Sequence, residues 1–491
     1  MSIAFPPSLA AFIPVLKTLA LLARERGQRV FVTGGTLRDL FLGAPPPDVD
    51  LAVAGPALEL GRILAERIGA RFVALKEAHA TCRLVKGEMN LDLAGLRAPT
   101  LEQDLRARDF TINAMAVELE DFLAGRDELC DPTGGLADLR AGLLKPAGPS
   151  ALWDDPLRVL RAFRFMAALG FKIAPCLAES LPAAAPGLWR VPRERIAHEW
   201  LLLTTGREAG AAVLAMEEMQ VLTRLIPALA RGRGVGQNPY HHLDVLQHNL
   251  ACLENLGLIA NRPQEFMGPL ASEVAAYLAS DRRRALLFTA ALLHDMGKPP
   301  AREEKDPLWA TFYRHESQGA KLAQESCREL GLSKNDAFFV ARLVAGHMRP
   351  FHLMGAQRRG RLSERAVRRF LASAGDDLPG FFALALADTM AGRGPLRPAD
   401  AEERLLALYG EVAHLRDQKL AEALAAPPLL DGHQLMGELG LSPGPEVGRL
   451  LRYLREAQLD GKISTLKEAL ALARRIRVGS LAVKGKLEIP A

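Results

Sequence analysis

Over residues 28–120 the chain breaks into short apolar runs separated by turn residues. "RVFVTGG" (29–35) is apolar up to a pair of glycines, which predicts a strand ending in a turn. "TLRDLFLG" (36–43) predicts a short helix and "DVDLAVAG" (48–55) a second strand. "PALELGRILAERIG" carries apolar residues at helical spacing, and "RFVAL", "TCRLVKG" and "MNLDLAG" follow as strands. The expectation is an α/β (α+β) head with a mixed sheet. From about Asp154 the apolar spacing becomes helical and stays so to the end. "RGRGVGQNPYHH" (231–242) and "AGRGPLRPAD" (391–400) interrupt that pattern as linkers. The predicted layout is a head (1–150), a helical neck (151–230), a histidine-bearing helical domain (231–395) and a helical tail (396–491).

A chain of 491 residues exceeds one ordinary core, and 49% hydrophobic with 24% charged residues describes a folded, soluble protein. The absence of an apolar run of about 18 residues argues against a membrane span. The amphipathic "LKTLALLARERG" reads as a domain-opening helix rather than part of a signal peptide. The five cysteines never form CxxC, which fits a reducing cytoplasm and excludes a disulfide framework or a cysteine zinc site. A net charge of +5 permits a nucleic-acid partner without requiring one. No membrane and no obligatory protein partner are expected.

Alternate side chains of a strand share a face, so Asp48 and Asp50 are expected to point one way. Two such carboxylates can hold a pair of divalent ions about 3.5–4 Å apart and clamp a phosphoryl displacement. Oxygen ligands favour magnesium or manganese. Asp92, in "NLDLAG", is a candidate third carboxylate. Gly34 and Gly35 sit at a strand-to-helix turn, where N–H groups attract phosphate, and Arg38 lies one turn further on. The plainer alternative makes Asp48 and Asp50 turn and strand-end residues after three prolines.

This arrangement resembles the nucleotidyltransferase superfamily of DNA polymerase β. More narrowly, it is similar to the class II tRNA CCA-adding enzyme and bacterial poly(A) polymerase family. "LEQDLRARDFTINAMAV" (101–117), "DPTGGLADLRAGLLKP" (131–146), "WDDPLRVLRAFRFMAALGF" (153–171) and "VPRERIAHEW" (191–200) carry the resemblance over the first 230 residues. It implies a magnesium-dependent enzyme acting on tRNA with CTP and ATP. Asp155 and Arg158 would read the incoming base, with Arg161 and Arg164 near triphosphate or RNA. Arg108 would contact the nucleotide and Asp109 orient it. An aspartate accepts hydrogen bonds and an arginine donates them, so one such pair suits the donor–acceptor order that C and A share and G and U reverse. Mismatched bases would bury unpaired groups at a cost of about 1–3 kcal/mol each. The alternative leaves Asp155 as a helix cap and the arginines as a solvated face.

Seven of eleven histidines fall between residues 241 and 352. "ALLHDMGKPP", with its His-Asp pair, resembles the HD phosphohydrolase superfamily. That resemblance implies a divalent metal on His248, His294, Asp295 and Asp388, a second on His315 and His347, and a phosphate contact from Lys298. Phosphatase or cyclic phosphodiesterase activity would follow, against the alternative of a degenerate structural fold. The six arginines of "QRRGRLSERAVRRF" (357–370) suit RNA phosphates or an ordinary solvated helix face equally. The segment 429–475 resembles the family's RNA-contacting tail.

Two departures bear on the product. Ala107 occupies the first slot of "RARD", where many relatives have Arg, and "AGLRAPTLEQDL" is short where bifunctional enzymes carry a longer segment. The expected activity is CCA addition from CTP and ATP with an HD phosphohydrolase appended. CC-only addition, poly(A) synthesis, and a chain that is chiefly a phosphohydrolase are the alternatives. Poly(A) synthesis ranks lower because a Gly-Arg-Arg-Phe stretch is missing.

Overall fold

The computed structural model describes residues 9–76, 80–126, 128–306, 309–417, 427–459 and 462–482. Two compact units divide the chain: Met1–Arg231 with Gln324–Phe338, and Gly232–Ala323 with Phe339–Ala491.

The first unit opens with helix α1 (Ile13–Glu25) and is built on a seven-stranded mixed sheet. Its strands are β1 (Arg29–Thr33), β2 (Val49–Ala54), β3 (Arg71–Lys76), β4 (Thr81–Lys86), β5 (Met89–Gly95), β6 (Ala116–Glu118) and β7 (Leu129–Cys130), in the order β3-β4-β5-β2-β1-β6-β7. Among the described residues of this sheet, only β2 and β5 pair in parallel; the other neighbours are antiparallel. The five strands read from the sequence are present. β6 and β7 were not foreseen, because two or three residues are too few to display an alternation.

Strand alternation gives the sheet two unlike faces. Cys82, Leu84, Leu91 and Leu93 are buried, and helix α3 (Ala57–Ile68) lies over this side. It approaches so closely that a Cβ on Gly61 would stand 2.6 Å from Cys82 Sγ. The intervening residues Arg83, Asp92 and Asp50 therefore emerge on the other face. Register aligns them in one row: Arg83 opposite Asp92 across β4–β5, and Asp92 opposite Asp50 across β5–β2. Helix α2 (Gly34–Phe41) starts directly from β1, with Gly34 at φ +65°.

Beyond the head, the helix Arg158–Leu169 packs against Arg193–Thr205 and Ala209–Glu218, with Leu160, Phe163 and Trp200 at no measurable exposure. In the second unit the helices Val245–Asn261, Asp281–Leu293 and Leu378–Ala391 pack together, and twelve of the fourteen residues of the last are buried. By length and composition Glu364–Ala391 could cross a membrane, at a hydropathy of 1.2, yet 78% of its most apolar window is buried inside the protein. The stretch is divided at "GDD" (375–377), where Gly375 takes φ +54°. The tail helices Gly432–Leu439, Pro445–Leu459 and Leu466–Ala482 carry a small core of their own around Leu435, Leu450, Leu454 and Ala469.

The two glycine-rich linkers lie against each other. Gly394 N–H donates to Tyr240 O at 2.9 Å and Leu396 N–H to Pro239 O at 3.1 Å. A Cβ on Gly394 would sit 2.3 Å from Pro239 O, so only glycine fits that approach.

Candidate active site

Asp50 meets the glycine turn directly: Gly35 N–H donates to Asp50 Oδ2 at 2.9 Å. That amide, expected from the sequence to face phosphate, is thus given to the carboxylate. A Cβ on Gly34 would lie 2.9 Å from the same oxygen and 3.4 Å from Arg108 Nη1, so the missing side chain is what lets the turn close over Asp50. Thr36, which sequence reasoning missed, fixes the register of the acidic strand. Its hydroxyl accepts from Asp50 N–H at 2.7 Å and reaches Asp48 O at 3.4 Å.

Arg83, also missed, joins Asp92 and Asp48. Nε and Nη2 donate to the two Asp92 oxygens at 2.6 and 2.7 Å, and Nη2 stands 3.4 Å from Asp48 Oδ2. Burial pushes the Asp50 carboxyl up to about 6, helped by the Asp48 charge and opposed by the Gly35 N–H. Burial, then Asp92, also raises Asp48, with Arg83 opposing. Two neighbouring carboxylates, Asp48 and Asp50, whose ionised forms are disfavoured are suited to divalent cations, and they are the residues that would hold them.

The predicted arginines gather beside this row. Arg38 donates to Asp39 and, at 3.0 Å, to Asn113 Oδ1; Arg108 pairs with Asp104 at 3.3 Å. Arg161 pairs with Asp109 at 2.5 Å and lies 3.6 Å from Glu199, which Arg164 meets at 2.7 Å. The guanidiniums of Arg38, Arg161 and Arg164 all approach the ring of Phe165, at 5.2, 5.6 and 4.0 Å from its centre. Burial alone would push the Asp109 carboxyl up, but Arg161, Asn113 and the Phe110 N–H outweigh it and hold it far below the usual range.

The foreseen Asp155–Arg158 pair takes a different form. Arg158 is buried and donates to three backbone carbonyls, those of Ala107, Arg108 and Ala151, at 3.0–3.1 Å. Asp155 accepts from Leu157 N–H at 3.2 Å, a helix-capping contact, and from Arg195 Nη2 at 2.8 Å. Arg195 lies within "VPRERIAHEW", but nothing local there shows its contact with Asp155, forty residues earlier.

In the second unit, Asp295 sits at the centre of the histidines. Its Oδ2 lies 2.5 Å from Lys298, 3.3 Å from His294 and 3.6 Å from His248; its Oδ1 lies 3.4 Å from His315 and 3.7 Å from His347. Asp388 pairs with His248 at 2.9 Å. All six predicted ligands are therefore together. His241, assigned by the sequence reading to a linker, joins His248 and Asp388 as a third possible ligand. Glycine and proline correctly marked its segment as irregular, but irregular backbone can still deliver a side chain.

Three rings are oriented by one device: His294, His315 and His347 each point Nδ1 at the carbonyl three residues earlier, at 2.8, 2.8 and 2.7 Å. That turns Nε2 toward Asp295 and fixes the tautomer a metal needs. Burial lowers His347, aided by His294, to about 3, and lowers His248 as well, so both are neutral near pH 7. His294 Nε2 and both Asp295 oxygens are buried without a properly directed hydrogen bond. Orphaned donor atoms of this kind, converging from imidazole and carboxylate, fit a transition metal. Further along, a groove of about 500 Å³ is lined by Arg365, Tyr453, Lys462 and Arg475, with Glu456 and Glu468.

Comparison with known proteins agrees with this division. The model for the "Poly A polymerase head domain" matches residues 30–101 and 97–145, that for the "Probable RNA and SrmB-binding site of polymerase A" matches 170–232, and that for the HD domain 245–390. An A-adding tRNA nucleotidyltransferase of Deinococcus radiodurans is 34% identical over 451 residues, covering 90% of this chain and 94% of that one. A CC-adding tRNA nucleotidyltransferase of Thermus thermophilus is 33% identical, covering 90% and 92%. Among solved structures, the Thermotoga maritima CCA-adding enzyme complexed with tRNA shares the fold at a TM-score of 0.56 and 21% identity, covering 95% of this chain and 96% of that one. With the head, the RNA-binding segment and the HD domain matched in that order, the chain belongs to the family of tRNA nucleotidyltransferases.

Proposed function

We propose that this chain extends the 3′ end of tRNA toward its CCA terminus from CTP and ATP, without a template, and that its second unit hydrolyses phosphate esters. The observation that carries the first activity is the Asp48–Asp50 pair with Asp50 held 2.9 Å from the glycine turn. Magnesium ions on Asp48 and Asp50 would lower the pKa of the RNA 3′-hydroxyl and neutralise the triphosphate as pyrophosphate leaves. The chain's own part is positioning. Gly34 and Gly35 close over Asp50, Arg38 and Arg108 present cations to the triphosphate, and Asp109 with Glu199 holds Arg161 and Arg164 in a fixed frame. Asp155 offers an acceptor beside the Arg195 donor, the combination that suits C and A.

A second reading, addition of only part of the triplet, is favoured by two observations. The connection between β5 and the helix Leu101–Arg106 is only Leu96–Thr100, and relatives matched over nine-tenths of this chain include one A-adding and two CC-adding enzymes. Transcripts ending before CCA, ending in CC, and an unstructured RNA, each offered labelled CTP or ATP singly and together, separate the outcomes. Full CCA addition requires both nucleotides on the first transcript. ATP incorporation on the CC transcript alone marks an A-adding enzyme, and CTP incorporation on the first transcript with no ATP incorporated on either marks a CC-adding one. Extension of the unstructured RNA would move the assignment to poly(A) synthesis.

Protons and cations compete for the Asp50 oxygens. At sub-saturating magnesium, incorporation is expected to fall as the pH drops below about 6, where Asp50 takes up a proton. Raising magnesium should move that acid limb to lower pH. Initial rates across pH at two magnesium concentrations check this, and a limb that ignores magnesium would contradict it.

For the second unit, the Asp295 cluster would hold a metal on His248, His294, Asp295 and Asp388 and a second beside His315 and His347, activating water against a phosphate ester. The carrying observation is that one buried carboxylate serves both histidine sets through different oxygens.

A further inference from the structure

Arg83 is in direct contact with Asp48 and Asp92, two of the three aspartates Asp48, Asp50 and Asp92, and the mechanism above leaves it without a task. Its fork on Asp92 is bidentate, Nε to Oδ1 at 2.6 Å and Nη2 to Oδ2 at 2.7 Å, so both Asp92 oxygens answer to one planar donor. Register explains the contact, because Arg83 and Asp92 are directly opposite on β4 and β5 and project from the polar face together. The same Nη2 reaches Asp48 Oδ2 at 3.4 Å. Asp50 stands apart from this grip, with its side-chain hydrogen bond coming from Gly35 N–H.

We propose that Arg83 is a positioning residue for nucleotidyl transfer: it ties up Asp92, anchors Asp48, and thereby leaves Asp48 and Asp50, rather than all three acids, to hold the cations. This rests on the nucleotidyltransferase reading of the head. Two consequences follow from charge and geometry. Without Arg83 the acids lose a neighbouring positive charge and Asp92 is released, so the row attracts divalent ions more strongly. The same release lets Asp48 and Asp92 take up unproductive arrangements, so turnover falls while cation binding improves. A substitution that merely loosened the sheet would weaken both.

The test uses the full chain and Mn²⁺ alone as the probe, with binding followed by electron paramagnetic resonance. Sites absent from Asp50→Asn protein are counted as belonging to the head, which sets aside ions held by the histidine cluster. Arg83→Gln is expected to bind head Mn²⁺ about three- to tenfold more tightly, with kcat down about 10–100-fold and KM for the nucleotide changed less than about twofold. Arg83→Lys restores the charge without the fork, so its Mn²⁺ affinity should return toward wild type while kcat stays low. Asp92→Asn should keep the full number of head Mn²⁺ ions. The proposal is overturned if Arg83→Gln weakens Mn²⁺ binding, if it leaves kcat unchanged, or if Asp92→Asn loses a head ion. A wild-type protein that incorporates no nucleotide would instead sink the nucleotidyltransferase reading, and the Mn²⁺ measurements would still report on Arg83.

Discussion

Asp50→Asn protein is expected to incorporate nucleotide at least about 1000-fold more slowly than wild type, a loss of about 4 kcal/mol of transition-state stabilisation. The amide is isosteric and can still accept from Gly35 N–H through its oxygen, so the turn is preserved while the negative charge needed for cations is not. The accompanying change in stability is expected to be favourable, as where an active site holds a strained charge. Asp50 has a folded pKa of about 6, above its ordinary value of 3.8. Its contribution to folding is therefore fully present below about pH 4 and is lost as the pH rises through about 6. Near pH 7 the ionised carboxylate strains the fold, and asparagine relieves that strain. Metal-free Asp50→Asn protein should melt at or above the wild-type temperature. A melting point clearly below wild type, together with lost activity, would mean that Asp50 supports the sheet rather than the chemistry.

The second large effect belongs to Asp295→Asn. Here the carboxyl is driven far below its ordinary range, because Lys298 and then His294 overcome a large burial penalty. The charge is therefore part of what holds this region together. Removing it leaves Lys298, 7% exposed, without the carboxylate 2.5 Å away, and breaking a buried pair from one side typically costs about 3–5 kcal/mol. Two outcomes are expected together. Metal analysis of the purified protein should show loss of bound transition metal and, with it, of hydrolysis of a generic phosphodiester. Chelator-treated protein should melt below wild type. Nucleotide incorporation should persist under conditions where the variant stays folded. Retained metal with retained hydrolysis would remove Asp295 from the centre of the site.

These predictions depend on residues that were unequally legible in the sequence. Gly34, Gly35, Asp48, Asp50 and the His294–Asp295 pair lie in short motifs whose spacing is itself the signal, and the structure brings each set together. Arg83, Arg195 and Glu199 act across strands or between helices, so their partners are fixed by register and packing that no local pattern displays. Arg83 was nonetheless half visible, since a charged residue between Cys82 and Leu84 must face away from the buried side of a strand. His241 was hidden for another reason: glycine and proline announced a loop, and a loop was read as a connector. Arg158 shows the converse. Motif spacing placed it next to Asp155, but three backbone carbonyls close at hand claimed its guanidinium.

The parallel pairing of β2 with β5 also delays assembly of the acidic row during synthesis. Neighbouring antiparallel strands can zip soon after they leave the ribosome, whereas Asp50 meets its partner Asp92 only after about forty more residues have emerged. Until β5 inserts, β2 has one bare edge and two unneutralised aspartates, so a chain stalled in that interval is both inactive and open to mispairing. Slowed translation across residues 55–95 is expected to lower the recovered specific activity, which synonymous-codon variants of the same protein would show.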